Sequence, residues 1–146
     1  MTNPDQALLR SFDPACGKPL AIDSSPLALA LGAQLHRLDR ERGMIELHFT
    51  PGEQFLQGAQ VIQGGAVTAM LDFAMSFAGL AAVGPGQTIA TATINVAFLR
   101  AAKAGTYVAI GEIERKGRNL IFTRGRLFQP GAEPVASAKS TLLVVG

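Results

Sequence analysis

One cysteine, two histidines and few charges narrow the chemistry open to this 146-residue chain. A lone Cys16 excludes an intrachain disulfide and any cysteine-based metal cluster. The two histidines, His36 and His48, lie far in sequence from the apolar centre of the chain and read as strand residues facing solvent or a neighbour. Without a cluster of His, Cys and carboxylate ligands, no metal is expected, and no cofactor is called for. Only 16% of residues are charged while 48% are hydrophobic. That balance is richer in apolar residues than in an average soluble domain, and it suggests surface hidden by a partner subunit as well as by folding. The net charge of +2 is unevenly spread: residues 1–53 carry five Lys/Arg against seven Asp/Glu, and residues 100–146 carry eight against three. A basic C-terminal half suits an anionic ligand, but it is too dispersed for DNA and no nucleic-acid motif accompanies it. No basic segment followed by an apolar run opens the chain, so secretion is not signalled and a reducing cytoplasm is the expected location.

Between Gln54 and Leu99 there is a single ionisable side chain, Asp72. With 24 charged residues in the chain, a 46-residue stretch of average composition would hold about seven or eight. Burying an ionised carboxylate without partners costs several kcal/mol. Asp72 is therefore neutral, satisfied by donors, or engaged in chemistry of the general-base or nucleophile kind. The apolar run 66–83 around it approaches the length of a membrane span. Its alanine content, its central Asp and its glycine-rich flanks without basic or aromatic anchors argue against that use.

The punctuation of the chain yields a coarse architecture. Residues 1–25 read as a short helix and a loop, and 27–31 as a helical turn. Residues 33–39 and 44–50 read as strands joined by the turn 40–43. Ala66–Val83 is the one long helix, apolar on nearly all sides and stopped by Gly84-Pro85-Gly86. Strand-like runs follow at 88–99, 106–115, 119–128 and 135–145, with connections too short for parallel crossovers. The expected class is α+β: an antiparallel sheet of five or six strands wrapped around one central helix, in a single domain over 26–146 after an N-terminal segment 1–25. Strict alternation in 88–99 points Ala90, Ala92, Ile94, Val96 and Phe98 at the helix and Thr91, Thr93 and Asn95 away from it.

No G-x-S-x-G, G-x-x-x-x-G-K-[ST], H-E-x-x-H or helix-opening G-x-G-x-x-G is present. Catalysis would rest on Asp72, backbone amides and uncharged polar groups. Gly64-Gly65 stands where the long helix begins, and the first amides of a helix lack intrahelical acceptors and share its positive dipole end. Such amides can polarise a carbonyl. Seven residues separate Gly65 from Asp72, roughly 10 Å of helical rise. If both act on one carbonyl, they must come from two subunits across a two-fold interface.

The run Gln57-Gly58-Ala59-Gln60-Val61-Ile62-Gln63-Gly64-Gly65-Ala66-Val67-Thr68-Ala69-Met70-Leu71-Asp72 resembles the motif N-x-x-G-x-x-H-G-G-x-x-x-x-L-x-D of hotdog-fold acyl-CoA thioesterases of the phenylacetate-degradation (PaaI-like) type. Thr91–Arg100 is similar to that family's T-x-x-[LI]-N-x-x-[FY]-L-R-P strand, and Gly117-Arg118 and the closing strand also fit. The resemblance covers roughly residues 26–145 and implies a hotdog fold. It implies that Asp72 is the catalytic carboxylate, acting as general base on water or as direct nucleophile. It places Gly65 next to the amide that polarises the thioester carbonyl, flanked by Gln63 and Gly64, with Thr91 helping to position the attacking water. It assigns Arg100 and the turn Lys116-Gly117-Arg118 to regions that contact coenzyme A phosphates. Gln63 stands where the family usually has His, and Gln57 where it has Asn. Gln63 can offer an amide N–H but cannot shuttle a proton.

The implied activity is hydrolysis of an acyl- or aryl-CoA thioester to the free acid and coenzyme A, with the acyl chain beside Met70, Phe73, Phe77 and Phe98. The implied partners are the acyl-CoA substrate and further copies of the chain, as a homodimer or a dimer of dimers with shared sites; neither nucleic acid nor membrane is expected. A non-catalytic acyl-CoA-binding hotdog protein is the alternative. A hotdog hydratase or dehydratase would need a positioned histidine, which the central segment lacks.

Overall fold

The computed structural model describes residues 3–146. Helix α1 (Pro4–Ser11) opens on Pro4, and its N-cap Asn3 accepts from the amides of Asp5 and Gln6 at 2.9 and 3.4 Å. The two-residue strand β1 (Leu20–Ala21) and the short helix α2 (Pro26–Ala30), capped by Ser25, lead into the hairpin of β2 (Gln34–Asp39) and β3 (Met44–Phe49). A 3-10 turn at Glu53–Phe55 precedes α3 (Gly64–Ala81). Four long strands complete the chain: β4 (Thr88–Phe98), β5 (Tyr107–Lys116), β6 (Leu120–Phe128) and β7 (Ala136–Val145).

All strands join one antiparallel sheet in the order β1-β2-β3-β5-β6-β7-β4. Its seven strands exceed the expected five or six. The extra one is β1, paired Leu20 to Leu35 and Ala21 to Gln34, in the segment read as helix and loop. Two residues carry no alternation to read. Segment 1–25 also shares the core, because Leu9, Phe12 and Ile22 are buried in the same cluster as the sheet and α3.

The sheet wraps α3, as in the hotdog architecture that the resemblance implies. The helix starts and stops two residues earlier than the sequence suggests. The Gln63 carbonyl already accepts the amides of Ala66 and Val67, at 2.9 and 3.1 Å. Val67, Met70, Leu71, Ala74, Met75 and Ala78 are buried against Leu35, Ile45, Leu47, Phe49, Ala109 and Leu127. Each large apolar side chain so enclosed contributes about 1.5–3 kcal/mol. The helix is long and apolar enough to cross a membrane, yet more than half of it is buried inside the fold. Gly111 of β5 permits the closest approach: a Cβ there would lie 2.3 Å from the Ala74 carbonyl oxygen.

Of the three register shifts in the sheet, those in β2 and β4 bear on the candidate functional residues. In β2 the pairing shifts between Leu35 and Arg37, so His36 and Arg37 both face away from α3 while Leu35 and Leu38 stay in the core. In β4 the pairing with β7 shifts between Thr91 and Thr93. Ile94 and Val96 pack on the core and Phe98 lies beside Gly64, as expected. Thr91, however, shares the helix-facing side with Ile89, because the bulge absorbs one residue and reverses the phase. Strict alternation had pointed it outward. Thr93 and Asn95 do face outward, where Asn95 pairs with Lys139.

Candidate active site

Asp72 lies partly buried in the middle of α3. Its Oδ1 accepts a 2.9 Å hydrogen bond from Thr91 Oγ1 of β4. Ser76, one helical turn further on, places its Oγ 3.3 Å from both Asp72 Oδ1 and Thr91 Oγ1, so its single proton serves one of them at a time. The two hydroxyls converge on one carboxylate oxygen. Oδ2 receives no hydrogen bond from the described residues, and so it is available to a water or substrate atom. Sequence reading overlooked Ser76, although the i, i+4 spacing from Asp72 on a helix was there to find it.

At the other end of the site, α3 opens without a side-chain cap. The amides of Gly64 and Gly65 meet no acceptor among the described residues, whereas the Gln63 amide is spent on the Phe55 carbonyl at 2.7 Å. A Cβ on Gly65 would point into open space, so the approach to its N–H is unobstructed. Beside it runs an apolar groove of about 400 Å³ lined by Leu27, Phe55, Leu56, Ala66 and Ala69. Gln63 borders the same groove. Gln57 plays a part inside its own loop: its Oε1 accepts the Ala59 amide at 2.9 Å and its carbonyl the Gln60 amide.

Other predicted contacts fall elsewhere. Met70 and Phe77 are buried in the core and cannot line an open acyl pocket. Phe73 is partly buried, stacked edge-on with Phe77, and Phe98 is 57% exposed beside the start of α3. Arg100 follows the end of β4 and donates to the Pro134 carbonyl at 2.7 Å. Lys116 donates to the Ala82 carbonyl at the C-terminal end of α3, where a cation offsets the dipole. Gly117 and Arg118 continue that turn, with the Gly117 amide bonded to the Leu120 carbonyl at 2.7 Å. Phe98, two residues before Arg100, touches the opening of the helix, so Arg100 and Lys116 stand at opposite ends of α3. An 18-residue helix spans roughly 27 Å, and one chain does not unite them. Gly65 and Asp72 are likewise kept two helical turns apart.

One reading of the chain needs correcting. A His and carboxylate cluster does exist: across the β2–β3 hairpin, His36, Glu46 and His48 bring ligand atoms within 4.8 Å of one another. It becomes visible only once the register of the hairpin is known.

A sheet enclosing one long helix, with a carboxylate in mid-helix and bare amides at its start, defines a hotdog protein. The chain belongs to the Thioesterase superfamily, whose family model matches residues 59–136. It is similar over 97% of its length to a phenylacetic acid degradation-related protein of Ralstonia eutropha JMP134, at 30% identity and a TM-score of 0.82, covering 99% of that chain. It also shares its fold with the Escherichia coli PaaI protein of the phenylacetic acid degradation operon, at 23% identity, 84% and 86% coverage of the two chains and a TM-score of 0.76. A Streptococcus mutans UA159 protein solved with bound acetyl CoA matches at 19% identity, 75% and 86% coverage and a TM-score of 0.67. No protein with a curated description matches the chain.

Proposed function

We propose that this protein is an acyl-CoA thioesterase whose sites are completed by a second copy of the chain. The observation that carries the reading is the Asp72 carboxylate, anchored through Oδ1 by Thr91 and open at Oδ2. Membership of the Thioesterase superfamily and the acetyl CoA bound by a protein of the same fold support the substrate class.

In this mechanism Asp72 Oδ2 takes a proton from water as the water oxygen attacks the thioester carbonyl. The oxyanion is received by the Gly65 amide, strengthened by the helix dipole. The C–S bond then breaks, and the proton returns to the departing thiolate of coenzyme A.

The two groups meet across a dimer for a geometric reason. β4 ends the sheet, and no strand among the described residues covers its outer edge. It runs eleven residues without a charge or a proline, and beyond its bulge at Ala92 the stretch Thr93–Phe98 is regular, leaving an edge open to pairing. Along it, Thr91 marks Asp72 and Phe98 marks the start of α3. An antiparallel β4–β4 pair with its two-fold axis at Asn95 keeps core-facing residues opposite one another, Ile94 against the partner's Val96, and sets the partner's Phe98 across from Ala92, next to Thr91. The opening of the partner's helix then lies alongside Asp72. The same operation moves the partner's Arg100 toward the end of α3 that holds Lys116, assembling the cations for the phosphates of one coenzyme A.

The test is release of free coenzyme A from a panel of short, medium, long and aryl acyl-CoAs, with wild type beside Asp72→Asn. Turnover by wild type, reduced by about 100-fold or more in the variant, supports the reading. Equal turnover by both removes Asp72 from the mechanism. Tight acyl-CoA binding with turnover in neither makes the protein a non-catalytic acyl-CoA binder.

A further inference from the structure

On the face of the sheet that turns away from α3, the β2–β3 hairpin assembles a constellation that thioester hydrolysis does not use. Glu46 and His48 are alternate residues of β3, so both point outward while Ile45, Leu47 and Phe49 fill the core. Opposite them, the β2 bulge adds His36 to the same face. The imidazoles of His36 and His48 lie parallel, with centroids 3.4 Å apart and planes 7° from each other. His48 Nε2 is 2.8 Å from Glu46 Oε2, and His36 Nε2 is 3.2 Å from Gln34 Oε1. All three side chains are partly buried, so little water must be stripped to occupy the space between them.

We propose that His36, Glu46 and His48 form a binding site for one divalent late first-row transition-metal ion, with zinc as the reference case. The donor set is the argument. Two imidazole nitrogens and one carboxylate oxygen suit zinc and its neighbours, with bonds of about 2.0–2.2 Å. Those bond lengths put tetrahedral ligand atoms about 3.3–3.6 Å apart, and the three ligand atoms here already lie within 4.8 Å of one another. Magnesium and calcium demand more oxygen ligands than the single carboxylate supplies. Three protein ligands leave a fourth position to water.

The stack imposes one condition. Lone pairs of parallel rings lie in parallel planes and do not converge on one point. One imidazole must therefore turn out of the stack as the metal enters, and the metal takes the place of the His48–Glu46 hydrogen bond. Arg37, whose Nη1 is 3.9 Å from Glu46 Oε1, competes for the same carboxylate, but its side chain is largely exposed and can swing into solvent. The site lies on the opposite face of the sheet from Asp72, so it stands or falls independently of the thioesterase reading.

The experiment is a competition titration of tag-free, chelator-stripped full chain with Zn²⁺ against a chromogenic chelator. Wild type, His36→Asn/His48→Asn, Glu46→Gln and Asp72→Asn are compared, each first shown by circular dichroism to be folded. The expected result is one high-affinity Zn²⁺ per wild-type chain, kept by Asp72→Asn. Loss of a metal ligand costs at least as much as loss of a partner behind one, so the double histidine variant should lose about 100-fold or more in affinity and Glu46→Gln about tenfold or more. Wild type that binds Zn²⁺ no more tightly than the double variant overturns the proposal. So does a wild-type site that Asp72→Asn abolishes while the histidine variant retains it.

Discussion

Thr91 Oγ1 donates to Asp72 Oδ1 across 2.9 Å, tying the edge strand to the middle of the central helix through a residue that regular alternation would turn outward. The β4 bulge makes the contact possible by placing Ala92 between the Leu142 and Thr141 pairings. A bulge beside a reactive group is a common way to re-aim one side chain without moving the rest of a strand.

Thr91→Val tests what that hydrogen bond does. The substitution keeps the branched shape and removes the donor. A hydrogen bond to a charged group contributes about 1.5–3 kcal/mol, so kcat for acyl-CoA hydrolysis should fall about 10- to 100-fold, with Thr91→Ser close to wild type. Steady-state coenzyme A release measures it, and unchanged kcat in the valine variant would exclude a positioning role for Thr91.

Two glycines against the core should respond unequally to alanine. At Gly111 the new Cβ would lie 2.3 Å from the Ala74 carbonyl oxygen and 2.9 Å from the Met75 amide nitrogen, both backbone atoms of α3. Helix and sheet must part, at about 2–3 kcal/mol or more. At Gly79 the clash is with Leu142 Cδ1 at 2.4 Å, the far end of a flexible side chain. There the helix gain of about 1 kcal/mol for Gly→Ala offsets much of the repacking. Urea midpoints should drop sharply for Gly111→Ala and little for Gly79→Ala; equal losses would contradict this account of how α3 seats on β5.

Much of this arrangement was legible from residue order, and what was not depended on pairing. The limits of α3 are readable to within two residues because Gly64-Gly65 and Gly84-Pro85-Gly86 punctuate an unbroken apolar run. Six strands follow from turn residues and alternation. The phase of Thr91 is hidden because the bulge arises from how β4 registers against β7, which the β4 residues alone do not encode. The His36–Glu46–His48 cluster is hidden for the same reason, being a property of the β2–β3 register. Asp72 stood out by composition alone, as the sole charge in an apolar segment. Its hydroxyl partner Ser76 went unnoticed because serine in a helix is unremarkable until its turn is matched to a carboxylate.

Tyr107, the single tyrosine of the chain, gives an alkaline probe of folding. It is fully buried and its hydroxyl donates to the Lys103 carbonyl at 2.6 Å. Burial raises its pKa above the usual 10.0 by disfavouring the phenolate. Above pH 10 the unfolded chain therefore sheds this proton more readily than the folded one, and stability falls as pH rises through that range. Phenolate absorbance of the native protein should titrate at higher pH than in denaturant. Tyr107→Phe should flatten the alkaline loss of stability. Coincident native and denatured titration curves would show that the phenol is not shielded.

The shared site makes the sharpest prediction, because it asks two defective subunits to repair each other. Asp72→Asn removes the base, and Gly65→Pro removes the amide donor at a first-turn position where helices tolerate proline. Each homodimer should be nearly inactive. In a heterodimer, one site inherits both defects, while the other combines the intact Asp72 of one chain with the intact Gly65 of its partner. Random exchange makes half of the dimers mixed, each with one working site, so the mixture should recover about a quarter of wild-type turnover. Mass spectrometry of the mixture verifies exchange before activity is read. Verified heterodimers without recovery would place both groups in one chain's site, which the roughly 10 Å of helix between them forbids for a single carbonyl, and would remove either Asp72 or the Gly65 amide from the chemistry.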